Sequence, residues 1–199
     1  MNRFFKNTPD ATSAPTFPVM MTKAQKACFI KYLSAATSYF EFGCGGTTVL
    51  AASMRNIETI TSVDSDFEWA KRVSEVVPDV NIIWLDIGPT KDLGTPLDTS
   101  LRLGFPRYSE LWNKAVQSYD TVFIDGRFRV ACAAQIILNP RQVKTILFDD
   151  FAHRPQYHCI VPYLDVLEIV DGMLVCRPKK HFDRYSLETL YEEHKYTPI

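Results

Sequence analysis

Six acidic residues in this sequence fall where a short apolar run ends, and a glycine-rich loop lies beside the first of them. Glu41 opens the stretch Glu41-Phe42-Gly43-Cys44-Gly45-Gly46-Thr47, Asp64 closes Ile57–Val63, and Asp86 follows Val80–Leu85. Asp125 follows Thr121–Ile124, and the pair Asp149-Asp150 follows Val143–Phe148. Gly43 and Gly45 permit a tight turn and let a ligand approach the main chain with no Cβ in the way. A helix starting near Thr47 would turn unpaired N–H groups and the positive end of its dipole toward an anionic group. Asp64, 21 residues after Gly43, is spaced to accept from the two hydroxyls of a ribose. Tight strand-to-helix turns also use glycine for purely structural reasons. The loop therefore gains its weight from Asp64 and Asp86 at the next two strand ends.

The second group of acids poses a charge problem. Asp125, Asp149 and Asp150 converging on one sheet edge would repel one another unless a cation or an arginine compensates. A hard divalent ion such as magnesium, bound through carboxylate oxygens and waters, is one solution. Arg127 and Arg129 offer another, since either could pair with Asp125 or Asp149. Arg127, with Arg154 and Arg107 near the same edge, also suits a bidentate clamp on a substrate carboxylate or phosphate. Arg129 reads better as part of a solvated first helical turn.

These groups need elements to hold them. Residues 1–20, with Pro9, Pro15 and Pro18 among polar residues, read as a flexible arm, and 21–199 as one domain. Thr22-x-x-Gln25 starts a capped helix to about Ala35, with Ala27, Ile30 and Leu33 at roughly helical spacing. Strands at Ser38–Phe42, Ile57–Val63 and Val80–Leu85 alternate with helices at Thr47–Met54 and after a Ser65-x-x-Glu68 cap, where Phe67, Ala70 and Val73 share a face. Residues 87–106 carry six Gly and Pro breaks and read as a lid, with Phe105 and Trp112 close by. A helix at 108–116, a strand at 121–124, a helix at 127–138 and a strand at 143–148 continue the alternation, and Pro162 must kink or end a helical segment near 155–164. Val166–Val170 and Met173–Cys176 flank Asp171-Gly172, a preferred pair for a two-residue hairpin, and a last helix places Leu187, Leu190 and Tyr191 together. Five strand–helix units imply an α/β fold: a three-layer, doubly wound, mostly parallel sheet of about seven strands, with an antiparallel strand in the C-terminal hairpin.

Composition bounds the function. With 199 residues, 46% apolar and 23% charged, the chain suits one soluble domain. A formal net charge of −1 argues against a nucleic-acid or anionic-membrane surface. Five scattered cysteines without C-x-x-C spacing give neither a disulfide framework nor a zinc site. No apolar run follows Arg3 and Lys6, and none is long enough for a membrane span, so a cytoplasmic protein is expected. No residue pattern specifies an oligomeric state.

The order of elements, the E-F-G-C-G-G-T loop, Asp64, Asp86 and the closing hairpin resemble the class I S-adenosylmethionine-dependent methyltransferases over roughly residues 22–178. The resemblance implies a cofactor site of Glu41, Gly43, Gly45, Thr47, Asp64 and Asp86, with the methionine end over the glycines, the ribose on Asp64 and the adenine near Asp86. Thr47 departs from the third glycine that many members carry. The acids at the fourth and fifth strand ends are similar to those of metal-dependent O-methyltransferases, both catechol-type and macrocin-type sugar enzymes. That likeness implies Asp125, Asp149 and Asp150 as ligands of Mg2+ or another divalent cation. It makes Asp125 catalytic, His153 the acceptor of a hydroxyl proton, and the substrate a small-molecule methyl acceptor, beside which Arg127 would lie. A non-catalytic module that binds S-adenosylmethionine or S-adenosylhomocysteine stays open. A nicotinamide oxidoreductase is disfavoured by Thr48 at the third glycine of G-x-G-x-x-G and by the terminal hairpin. No Asn-Pro-Pro-Tyr tetrapeptide follows the fourth strand, so amino methylation has no local support.

Overall fold

The computed structural model describes residues 17–199. Most of the sequence-expected arm, residues 1–16, lies outside the described residues. Seven strands form one sheet: β1 (Ser38–Phe42), β2 (Thr59–Asp64), β3 (Asn81–Trp84), β6 (Thr121–Ile124), β7 (Thr145–Phe148), β8 (Leu164–Val170) and β9 (Met173–Pro178), in the spatial order β3-β2-β1-β6-β7-β9-β8. β4 (Thr90–Lys91) and β5 (Thr95–Pro96) make a separate small hairpin. β3, β2, β1, β6 and β7 pair in parallel, whereas β9 pairs antiparallel with both β7 and β8. Asp171 and Gly172 turn that hairpin with φ of 47° and 95°, both left-handed, as a tight two-residue connection demands. The direction of β9, inserted between β7 and β8, separates this sheet from an all-parallel dinucleotide-binding one.

Side-chain alternation along the strands builds the layers. Phe40, Phe42, Val122, Ile124, Ile146 and Phe148 point to one face. They pack there against α4 (Pro106–Lys114), α5 (Arg129–Leu138) and α6 (Arg184–His194), which contribute Tyr108, Trp112, Ile136 and Leu187. Tyr39, Phe123, Leu147 and Val175 point the other way, onto Cys28, Phe29 and Leu33 of α1 (Lys23–Leu33) and Ala51 of α2 (Gly46–Ala52). α3 (Phe67–Val76) adds Ala70 and Val73, packed with Cys44. No described helix is long and apolar enough to cross a membrane.

Several local expectations shift. The Thr22–Gln25 capping box is present, but the buried face of α1 is Gln25, Cys28, Phe29 and Leu33, while Ala27 and Ile30 face outward. The cap of α3 is Asp66, whose carboxylate accepts from Trp69 N–H at 2.9 Å; Ser65 instead donates its hydroxyl to the Gly94 carbonyl. Phe67 is exposed and leaves the Ala70–Val73 face to stack edge-on against Trp84. α5 begins at Arg129 because Phe128 before it is left-handed, at φ 55°. The stretch 87–106 holds the β4–β5 hairpin and two short 3-10 turns, and its expected lid aromatics, Phe105 and Trp112, are buried in the core.

Candidate active site at the strand ends

A cavity of about 790 Å³ opens at the carboxyl ends of β1, β2, β6 and β7. A second hollow of about 540 Å³, lined by residues such as Glu58, Asp79 and Lys114, lies at the amino end of the sheet. Ligands of open α/β sheets bind outside the carboxyl ends, where the strand order reverses, and β1 with β6 is that point here. The first cavity therefore holds the candidate site.

The glycine loop forms one wall. Gly43 has φ +98°, and a Cβ built on it would lie 2.7 Å from the Gly126 nitrogen, so glycine alone fits between the ends of β1 and β6. Gly45 and Thr47 line the cavity. Glu41 does not line it: its side chain is fully buried, and its carboxylate accepts the hydroxyls of Thr47, Thr48 and Ser62. Burial raises its pKa to about 7, against the lowering effect of those hydroxyls. Glu41 thus braces the loop from below.

Asp64 stands at the end of β2 and lines the cavity. Its Oδ2 accepts from Cys44 N–H at 3.0 Å and its Oδ1 from Asp66 N–H at 2.9 Å. Desolvation raises its pKa while these N–H groups oppose the rise. A carboxylate has about four lone-pair sites, so acceptor capacity remains for sugar hydroxyls. Trp69 closes the same wall, donating its indole N–H to the Cys44 carbonyl at 2.7 Å. Asp86 is not brought in: it is exposed, and its carboxylate accepts from Gly88 N–H in a local turn. Asp92, Leu93 and Gly94 of the small hairpin line the cavity in its place.

Asp125, Asp149 and Asp150 do meet at the cavity, together with Arg127, Arg129 and Arg154. The expected metal centre does not fit them. Among the described residues no group of three His, Cys, Asp or Glu side chains is placed to hold an ion. The guanidinium of Arg129 lies between the acids, 2.9 Å from Asp125 Oδ1 and 3.6 Å from Asp150 Oδ2. Arg129 is 4% exposed, so its reading as part of a solvated turn is also corrected. Left-handed Phe128 turns the first residue of α5 inward under the sheet edge. Asp125 is half-buried at the cavity edge, and desolvation raises its pKa to about 7, with Arg129 opposing and Asp149, Glu41 and Asp150 adding to the rise.

Arg127 is the unsatisfied cation of the cavity. Its Nη1 donates to Thr95 Oγ1 at 3.3 Å, its Nε is buried without a partner, and it has no ion pair among the described residues. Burial, and next the charge of Arg129, lower its pKa. Arg154 is engaged with Asp150 at 2.8 Å, and Arg107 is exposed outside the cavity. His153 is likewise outside: its exposed ring packs over Gly172 of the β8–β9 turn. The left-handed Asp150, at φ 58°, lies in the turn between Asp149 and His153.

Sequence reasoning missed Trp69, Tyr108, Asp92 to Gly94 of the small hairpin, and Pro18, Met20 and Met21, all of which line the cavity. Asp66, as a cap three residues before Trp69, was the available signal for that wall. The other contributors sit far away in sequence, with no spacing to betray them.

No protein-family model matches the sequence, and no curated protein matches it. Solved structures do. A methyltransferase-like protein from Silicibacter pomeroyi DSS-3 is 28% identical, over 92% of this chain and 98% of its own, with a TM-score of 0.81. A candidate caffeoyl-CoA O-methyltransferase from Staphylococcus aureus is 13% identical, over 82% of this chain and 86% of its own, with a TM-score of 0.50, a likeness of fold. The seven-stranded sheet with its single reversed strand is the methyltransferase form of the Rossmann-like α/β fold.

Proposed function

We propose that this chain is an S-adenosylmethionine-dependent methyltransferase that acts on an oxygen of a small acceptor bearing an anionic group. The observation that carries the reading is that one cavity joins Gly43–Thr47, Asp64 and Asp125 at the sheet's switch point. Its volume of about 790 Å³ suits a small-molecule site. Its chemistry suits the cofactor: Asp64 for sugar hydroxyls, apolar walls at Met21, Trp69 and Leu93 for a base, and a floor of glycines.

When bound, the cofactor supplies a methyl group already activated on a sulfonium, so the protein's work is alignment, proton removal and exclusion of water. Gly43, Gly45 and Asp64 hold the cofactor. Asp125 receives the acceptor hydroxyl and takes its proton as the oxygen acquires the methyl group. A carboxylate with a pKa of about 7 is matched to that task near neutral pH. Arg127 binds the acceptor's carboxylate or phosphate, which satisfies a guanidinium otherwise short of partners. No step runs through a metal.

The test is S-adenosylhomocysteine release from S-adenosylmethionine with a panel of hydroxylated carboxylates and phosphates. Release with one class of acceptor, and at much higher KM with its neutral ester, is the expected result. Calorimetric binding of S-adenosylhomocysteine with no turnover on any acceptor would point to a non-catalytic module. Failure to bind it at all would remove the reading.

A further inference from the structure

We infer that Arg129 is a built-in cation, standing where a divalent ion would bridge the acids of this sheet edge, so that the site works without metal. The guanidinium reaches Asp125 Oδ1 at 2.9 Å and Asp150 Oδ2 at 3.6 Å. It also donates to three main-chain carbonyls at the ends of β6 and β7: Gly126 from Nε at 3.0 Å, Asp149 from Nη1 at 2.9 Å and Asp125 from Nη2 at 3.0 Å. Swinging it aside for an ion would leave those carbonyls without their donors. An unpaired buried polar group is costly.

Two of the acids are also held by other side chains. Arg154 binds Asp150 Oδ2 at 2.8 Å, and Gln25 of α1 donates to Asp149 Oδ1 at 3.3 Å. A hard cation needs six or more oxygen ligands, several of them water, at about 2.0–2.6 Å. Here the space between the carboxylates holds a planar, permanently charged group with its own hydrogen bonds. The arginine neutralises the acids and ties two strand ends together, which an ion would do only while bound.

The inference deepens the methyl-transfer reading, on which its turnover arm rests; its metal-binding arm is independent of it. The full chain, stripped with EDTA and dialysed, is titrated with Mn2+ alone and followed by calorimetry and electron paramagnetic resonance. No saturable binding in the sub-millimolar range is expected, and turnover should change less than about two-fold between EDTA and Mg2+. Arg129→Met, which keeps length and removes charge, should gain Mn2+ binding and a rise in Tm on adding Mn2+ that the wild type lacks. One Mn2+ bound saturably by the wild type and lost in Asp149→Asn would overturn the inference. So would a folded Arg129→Met with no response to Mn2+. If Arg129→Met does not fold, the wild-type titration decides alone. Unchanged S-adenosylhomocysteine affinity with no turnover would instead count against methyl transfer.

Discussion

The main-chain N–H of Cys44 donates to the Asp64 carboxylate at 3.0 Å, tying the loop after β1 to the end of β2. Asp64 therefore shapes the glycine loop as well as facing the cavity. Asp64→Ala should weaken S-adenosylhomocysteine binding by roughly 10- to 100-fold, the scale of one or two hydrogen bonds to a charged group. Calorimetry measures it. An unchanged Kd would show that the ribose lies elsewhere.

Asp125→Asn should leave that Kd within a few-fold and lower kcat by about 10²- to 10⁴-fold, the usual contribution of a positioned proton acceptor. The wild-type kcat should rise with pH through about 7, since Asp125 must lose its proton to act and burial holds its pKa there. Equal loss of cofactor affinity in the Asp64 and Asp125 variants would abolish the division between binding and chemistry.

Glu41 makes a prediction about stability. Its pKa rises from 4.5 to about 7 on folding, so between those values the folded protein holds more protons than the unfolded chain. Its contribution is then fullest below pH 4.5 and is lost as pH rises toward 7, by about 3 kcal/mol in all. Glu41→Gln cannot ionise, so its stability relative to wild type should increase over that window. Denaturant melts at pH 5 and pH 8 read the difference, and a gap that stays constant with pH would contradict it.

Arg127→Met should raise KM for an anionic acceptor by roughly 10-fold or more while leaving KM for its neutral ester unchanged. The comparison of the two acceptors separates charge recognition from general damage. Equal changes for both would assign Arg127 to structure rather than to the substrate.

Much of this site could be read from the chain. Apolar runs ending in Asp64, Asp125 and Asp149 mark the strand ends, because a parallel sheet buries its strands and exposes their tips. Asp171-Gly172 gave the reversed strand, since few other pairs accept two successive left-handed residues. Arg129 was harder. Its burial depends on the left-handed Phe128 and on carbonyls from two strands, none of which has a local signature. Asp86 and His153 are held away from the cavity by their own local contacts, the Asp86 carboxylate on Gly88 N–H and the His153 ring against Gly172. Proximity along the sequence says little about such contacts.

Gly46 lines the cavity with the rest of its loop, and a Cβ on it would run into the Pro18 carbonyl. Phe17 packs edge-on against Trp69, and Pro18, Met20 and Met21 form part of the cavity wall. The chain ahead of α1 is thus pressed bare against the loop, with no side chain as a cushion between them. Part of the pocket wall thus comes from a segment that belongs to none of the strand–helix repeats. Movement of that segment would register first in how fast a ligand enters and leaves.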